Sequence, residues 1–305
     1  IDVITKSQYE FNLNEFDLII CDEAHRTTGA TLIGDDESNF VRIHHNKFVK
    51  GKKRLYMTAT PRIYGEKAKK REDEGEVNLA SMDDEKMFGK TLFYRSFGWA
   101  VENNLLTDYK VVVLMMDEQM VSNRVQRSLT EGSELDLDDV TKMIGCYKAL
   151  AKIGIGTTLQ GIVEEKQPMK RALAFCQNIR TSKIFSSDFS KVVKEYISNE
   201  QVTEENKLDL EVQLFHVDGT FDSEQRNEKL SWLKEDTEKN VCRVLSNARC
   251  LSEGVDVPAL DAIMFLHPRR SQIDVVQSVG RVMRKSEGKR LGYVILPITV
   301  APGVS

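Results

Sequence analysis

Short runs of apolar residues, each closed by polar or turn-forming residues, recur along the chain. They span Asp17 to Cys21, Arg54 to Met57, Lys110 to Met115, Arg171 to Cys176, Glu211 to Val217, Arg243 to Leu245, Ala262 to Leu266 and Gly292 to Leu296. Runs of this length between turn signals predict strands buried on both faces. Helical patterns fall between several of them, at Ser182 to Ser198 and Ser223 to Leu233. Strands that alternate with helices predict parallel sheets covered by helices. Val140 to Lys152 also reads as a helix, placed where it could bridge two domains. Three polar stretches read as solvated surface: Glu66 to Lys86, Thr130 to Asp139 and Asn199 to Leu208. Two strand-ending motifs precede Thr107 and a longer α/β unit follows it, so the boundary is expected there, giving domains 1-107 and 108-305.

A length of 305 residues suits two domains. With 41% hydrophobic and 30% charged residues the composition is that of a globular protein. The net charge of -4 does not announce a nucleic-acid binder, so such binding would need local basic clefts. Cys21, Cys146, Cys176, Cys242 and Cys250 form no CxxC pair and suit neither zinc nor a disulfide framework. Reduced, buried thiols in a cytoplasmic protein are the expectation. No apolar run reaches the roughly 18 residues of a membrane span. The N-terminus lacks the pattern of a signal peptide. The chain starts with Ile1 rather than Met, which suggests a fragment, a processed chain or a trimmed version of a longer protein.

Four segments carry chemistry. Asp22-Glu23-Ala24-His25 closes an apolar strand. Ligands of open α/β sheets gather at strand carboxyl ends, where one carboxylate can hold Mg2+ and its neighbour can polarise a water. Thr58-Ala59-Thr60-Pro61 closes a second strand and offers two hydroxyls to a neighbouring carboxylate or imidazole. Gln277, Arg281 and Arg284 stand at i, i+4 and i+7, one face of a helix, where two arginines can neutralise a transferring phosphoryl group. Gly280 between them would let another group pack closely. In the segment ending at Pro258, Gly254 offers backbone amides and Asp256 can accept from a ribose or an arginine. Asn247 and Arg249, just upstream, are candidates for nucleic-acid phosphate contacts.

In this order the segments resemble the superfamily 2 helicase signature. Asp22 to His25 is similar to motif II, Thr58 to Thr60 to motif III, Asn247 to Pro258 to motif V, and Gln277 to Arg284 to motif VI. Arg171 to Arg180 resembles motif IV, His216 to Gly219 a turn common in the family, and Thr5 motif Ib. The flanks of these motifs look most like the motors of type I and single-polypeptide type I-like restriction enzymes, with type III next. The resemblance implies an α/β fold of two RecA-like domains with parallel sheets flanked by helices, the first truncated at its N-terminus. It implies ATP and Mg2+ as cofactors, with Asp22 holding the metal and Glu23 serving as general base. His25, Thr58 and Thr60 would couple nucleotide state to nucleic-acid grip. Gln277, Arg281 and Arg284 would reach the γ-phosphate, Gly254 and Asp256 would line the nucleotide cleft, and Asn247, Arg249 and Thr5 would meet nucleic acid. The expected partner is double-stranded DNA, alongside nuclease, methyltransferase or specificity segments or subunits. An RNA or DNA-repair helicase and an inactive helicase-like scaffold are the alternatives.

One departure stands out. A complete motor needs GxxxxGK[ST] ahead of motif II, and the 21 residues before Asp22 lack it. Gly89-Lys90-Thr91 has Asp84 where the first glycine belongs and follows motif III, so it reads as a decoy. Without the loop the chain alone is expected to bind ATP poorly and turn it over negligibly. His44-His45 has no partners at metal spacing and reads as a surface feature.

Overall fold

The computed structural model describes residues 1–36, 38–117, 135–153, 167–199, 210–248, 250–251, 257, 260–269 and 271–300. The chain divides into two compact units, Ile1–Tyr94 and Arg95–Ser305.

The first unit holds α1 (Asp2–Glu10), β1 (Phe16–Cys21), β2 (Gly29–Leu32), β3 (Gly51–Tyr56), α2 (Glu66–Asp73), β4 (Val77–Ala80) and α3 (Glu85–Phe88). β1 and β3 pair in parallel, with Ile19 opposite Arg54 and Cys21 opposite Tyr56. Gly51, opposite Phe16, leaves room for the Ile19 side chain, which a Cβ there would force to shift. Buried Gln8 fastens α1 to the start of β3: its Nε2 donates to the Lys50 carbonyl at 3.0 Å, and its Oε1 accepts the Lys50 N–H at 2.7 Å. Arg54 pins the preceding loop by donating to the carbonyls of Ile43 and Val49, each at 2.7 Å.

Three expectations change here. β1 is not buried on both faces, since Leu18 and Ile20 are more than half exposed. The charged stretch from Glu66 to Lys86 is not a bare solvated loop. It contains α2 and β4, and β4 pairs antiparallel with β2. Val77, Leu79 and Ala80 are buried; the average polarity of the stretch conceals a four-residue strand that needs few apolar positions. His44 is likewise no loose surface residue. Its Nε2–H donates to the Thr27 carbonyl at 2.9 Å, which leaves Nδ1 to accept from the Tyr56 hydroxyl at 2.7 Å.

The second unit holds α4 (Phe97–Glu102), β5 (Asp108–Asp117), α5 (Leu137–Leu150), β6 (Arg171–Phe175), α6 (Ile179–Asn199), β7 (Glu211–Val217), α7 (Ser223–Lys234), β8 (Val241–Asn247), β9 (Ala262–Phe265), α8 (Gln272–Val282) and β10 (Leu291–Val300). Among the described residues its six strands are all parallel, in the order β5-β10-β9-β6-β8-β7. The period of two along each strand sorts side chains onto two cores. Ala172, Ala174, Val244, Ala262 and Met264 join one, with Ile144 and Tyr147 of α5 and Phe189 of α6. Leu173, Phe175, Leu245, Ile263 and Phe265 join the other, with Leu233 of α7 and Val279 and Val282 of α8. Burial on both faces is why these strands read as continuous apolar runs. Helix α5 is part of this core, with Val140, Ile144, Cys146, Tyr147 and Leu150 buried in it.

The division at Tyr94 falls ahead of the boundary read near Thr107. Residues from Phe97 to Leu106 pack on the second core, and Thr107 donates from both its N–H and its hydroxyl to the Met283 carbonyl.

A parallel sheet sends every helix C-terminus to one edge and every helix N-terminus to the other. At the first edge buried Arg171 donates to the carbonyls of Leu233, Lys234 and Glu235, neutralising the end of α7. Lys289 likewise donates to the Arg284 carbonyl at 2.9 Å. At the second edge Asp136, Asp222 and Ser271 cap α5, α7 and α8. Strand order reverses between β6 and β9, so the ligand-binding crevice of this topology is expected at their carboxyl ends.

Candidate functional site

In the first unit the site grows from the end of β1. The Ala24 N–H donates to the Met57 carbonyl at 2.8 Å and the Met57 N–H to the Cys21 carbonyl at 2.9 Å, so both motif-bearing strand ends are laced together. Glu23 makes the turn in the left-handed region, φ 49 and ψ 45. For a non-glycine residue that conformation is uncommon and costs on the order of 1–3 kcal/mol where the surroundings impose it. Asp22 is exposed, and its Oδ1 accepts the Glu23 N–H at 2.9 Å. Its second oxygen remains for a hard cation, the donor type that Mg2+ prefers.

Buried His25 joins the two motifs. Its Nδ1 lies 3.1 Å from the Thr58 Oγ1 and 3.3 Å from the Glu23 Oε2. The Thr58 hydroxyl donates to the Thr60 carbonyl and accepts the Thr60 N–H. Its single proton is thereby committed, so Nδ1–H is the donor toward both Thr58 and Glu23. The Thr60 hydroxyl is buried and finds no hydrogen-bond partner among the described residues. Asp22, Glu23, His25, Thr58 and Thr60 are therefore linked by contacts at the ends of β1 and β3. Beneath them burial pushes the Cys21 thiol up, partly opposed by Arg54. Burial also pushes Tyr56 up to about 12, with Cys21 adding and Arg54 opposing.

In the second unit α8 carries Gln277 and Arg281. Its apolar residues Val279 and Val282 face the core. Arg281 is buried, and its Nη1 donates to the Leu251 carbonyl. The helix ends at Val282 with Met283 as its cap, so Arg284 does not share the helical face. It follows in a tighter turn, its N–H bonded to the Arg281 carbonyl at 3.2 Å.

Two nucleic-acid candidates sit otherwise than expected. Asn247 is fully buried: its Nδ2 donates to the Ala174 carbonyl at 3.0 Å and its Oδ1 accepts the Leu251 N–H. It orders the turn after β8 and has no side chain left for a phosphate. Thr5 lies in α1, and its hydroxyl donates to the Ile1 carbonyl one turn back. Arg249, Gly254 and Asp256 lie outside the described residues.

Single motifs did not reveal one further constellation. The His216 Nε2–H donates to Asp218 at 2.9 Å, and its Nδ1 accepts from the Ser182 hydroxyl at 2.7 Å. Asp218 also accepts the N–H and hydroxyl of Thr220, and with His216 these hold its carboxyl far below the usual range. The order Ser–His–Asp imitates a nucleophilic triad. Ser182 is fully buried and bonded to Ser246, so no substrate reaches it. The network ties the ends of β7 and β8 to α6. Its signal in the sequence was the His216-to-Thr220 turn, whose serine partner is remote along the chain.

The acidic group Asp136, Asp138 and Asp139, whose carboxylates approach within 4.8 Å, is also structural. Asp136 caps α5, while Asp138 pairs with Lys142 at 2.5 Å and accepts from Thr299 at 2.6 Å.

Family models match both units. Residues 154–286 match the helicase conserved C-terminal domain, and residues 2–63 match the type III restriction enzyme res subunit. With the α/β fold of its units, this defines the class that the chain resembles: superfamily 2 helicase cores of RecA-like type. Within that class it is similar to the motors of type ISP restriction-modification enzymes. It is 40% identical to LlaBIII, solved bound to DNA, over 100% of this chain and 19% of that one, with a TM-score of 0.80. A nuclease-deletion mutant of LlaGI, solved with a DNA substrate mimic, is 32% identical over 98% of this chain and 17% of that one, with a TM-score of 0.56. The "Probable helicase A859L" of African swine fever virus is 26% identical over 94% of this chain and 27% of its own length. The chain thus spans about a fifth of the restriction enzymes and about a quarter of the viral helicase. Among the described residues no helix is long and apolar enough to cross a membrane.

Proposed function

We propose that this chain is the motor portion of an ATP-dependent DNA translocase belonging to a restriction-modification enzyme. The observation that carries the reading is the lacing of Glu23, His25 and Thr58 at the joined ends of β1 and β3. A carboxylate held within reach of a buried imidazole, itself bonded to a second strand end, is a device for linking hydrolysis to movement. The similarity to DNA-bound LlaBIII along the whole chain supports DNA as the polymer.

Asp22 would hold Mg2+, which neutralises phosphate charge when it is bound with ATP. Glu23 would take the proton of the attacking water, its carboxylate held 3.3 Å from the His25 Nδ1. Thr60, with its buried unpartnered hydroxyl, would exchange partners between nucleotide states. Gln277, Arg281 and Arg284 would meet the transferring group. Arg281 would do so by leaving the Leu251 carbonyl, which makes its release a gated event. Gly254 and Asp256 are proposed for the nucleotide and Arg249 for a DNA phosphate. Nuclease, methyltransferase or specificity segments would lie elsewhere in the enzyme.

The 305 residues contain no GxxxxGK[ST], so the chain by itself would hydrolyse ATP negligibly. The test compares this chain with a version extended upstream in its native reading frame. Turnover is measured with duplex DNA, single-stranded DNA and RNA. Duplex-stimulated turnover in the extended version, abolished by Glu23→Gln, is the expected result. RNA stimulation would favour an RNA helicase, and no turnover in either version would favour an inactive scaffold.

A further inference from the structure

The segment that follows the first unit along the chain is fastened, at three points, to the stretch bearing the arginines. Ser96 caps α4 by accepting the Trp99 N–H. The Phe97 ring then lies against Gly280, where a Cβ would meet its Cζ at 3.4 Å. Gly280 stands between Gln277 and Arg281, one residue before the arginine. Just past the end of α4 and its cap Asn103, Asn104 takes the left-handed conformation (φ 64) that asparagine tolerates after a helix. Its Oδ1 accepts the Lys285 ammonium at 2.8 Å, one residue beyond Arg284. Finally Thr107 gives the Met283 carbonyl two donors, the N–H at 2.8 Å and the hydroxyl at 3.0 Å. That carbonyl belongs to the C-terminal group a helix cannot satisfy internally. Val101 and Leu106 complete the attachment on the same core as Val279, Val282 and Met283.

We infer that Ser96 to Thr107 forms a strap that sets the position of Arg281 and Arg284, with Phe97 and Thr107 as positioning residues; the inference rests on the motor reading above. The strap grips the helix between its two functional residues and again where the last turn would otherwise fray. It is also covalently continuous with Tyr94, the last residue of the first unit. A pull on the strap therefore reaches the arginines without passing through the nucleotide. Misplacing a catalytic group by about 1 Å can cost on the order of a hundredfold in rate, so loosening this grip is felt in the chemical step rather than in binding.

Two measurements test this. Hydrogen exchange of the 305-residue chain is followed for wild type, Phe97→Ala, Phe97→Leu and Thr107→Val. Exchange at the amides of Val279 to Arg284 is expected to quicken about tenfold in Phe97→Ala and Thr107→Val, with β6 and β8 unchanged and Phe97→Leu close to wild type. In the upstream-extended protein the same two variants should lower DNA-stimulated kcat about tenfold or more, with KM for ATP within about twofold. Phe97→Leu should restore most of the rate, which general unfolding would not allow. Unchanged exchange at Val279 to Arg284 in both variants overturns the strap, whatever the activity. So does quickened exchange with wild-type kcat. Absence of turnover in the wild-type extended protein removes the motor reading and with it the assigned role, while exchange still decides whether the strap grips α8.

Discussion

The His25 Nδ1 lies 3.1 Å from the Thr58 Oγ1, joining the residue two past the carboxylate pair to the strand end beside it. A donor that contacts both Thr58 and Glu23 must favour one of them when either moves. Removing the hydroxyl should therefore leave hydrolysis and impair its use. Thr58→Val is expected to keep DNA-stimulated turnover within about threefold while translocation, followed by strand displacement on a long duplex, falls about tenfold. With His25→Ala the two losses should be non-additive, with a coupling of about 1 kcal/mol. Additive losses would mean that the contact carries nothing.

Glu23 offers a separate test, because its backbone and its carboxylate make opposite demands. Glu23→Gln keeps the shape and should lower turnover by on the order of a hundredfold or more, with little change in melting. Glu23→Gly removes the left-handed strain and should stabilise the first unit by about 1 kcal/mol while abolishing turnover. Thermal melting of the three proteins checks this, and a destabilised glycine variant would show that the turn is unstrained.

Arg171 holds the C-terminal carbonyls of α7 from within the protein. Arg171→Met keeps most of the stem but orphans those carbonyls. A loss of about 2–4 kcal/mol in urea unfolding is expected, with the DNA dependence of any turnover unchanged.

Asp218 should make stability depend on acid. Hydrogen bonds from Thr220 and His216 hold its folded-state carboxyl below the unfolded value of about 3.9. A depressed carboxyl contributes stability that is complete above the unfolded value and is lost as pH falls from there toward the folded one. Asp218→Asn should therefore be less stable than wild type at pH 7, and the gap should shrink progressively below about pH 4. A gap independent of pH would assign the loss to packing instead.

Much was legible along the chain because it depends on local periodicity. The central strands β6 and β9 of the second sheet are buried on both faces, so Arg171 to Cys176 and Ala262 to Leu266 announce themselves as apolar runs. The paired carboxylates, the threonines after β3 and the spacing of Gln277 and Arg281 are likewise short-range patterns. β4 was not legible, since four residues amid charges need only Val77, Leu79 and Ala80 to pair with β2. Helix α5 was visible as a helix but not as core, because periodicity does not say which sheet an apolar face meets.

The sequence by itself determined the kinds of element, the chemical types of the candidate residues and the motif order by which this chain resembles superfamily 2 helicase cores. Tertiary structure decided which of those residues have side chains left for a ligand. Asn247 reads as an exposed polar residue and is instead buried against the Ala174 carbonyl. Arg284 reads as part of a helical face and lies past the end of the helix. His216, Ser182 and Asp218 form one network across separate elements. The physical reason is common to all of these cases. A polar group's partner is set by packing between segments remote in sequence, and no local pattern encodes that distance. The strap from Ser96 to Thr107 belongs to the same category, since Phe97 and Gly280 are remote in sequence and meet only in the folded second unit.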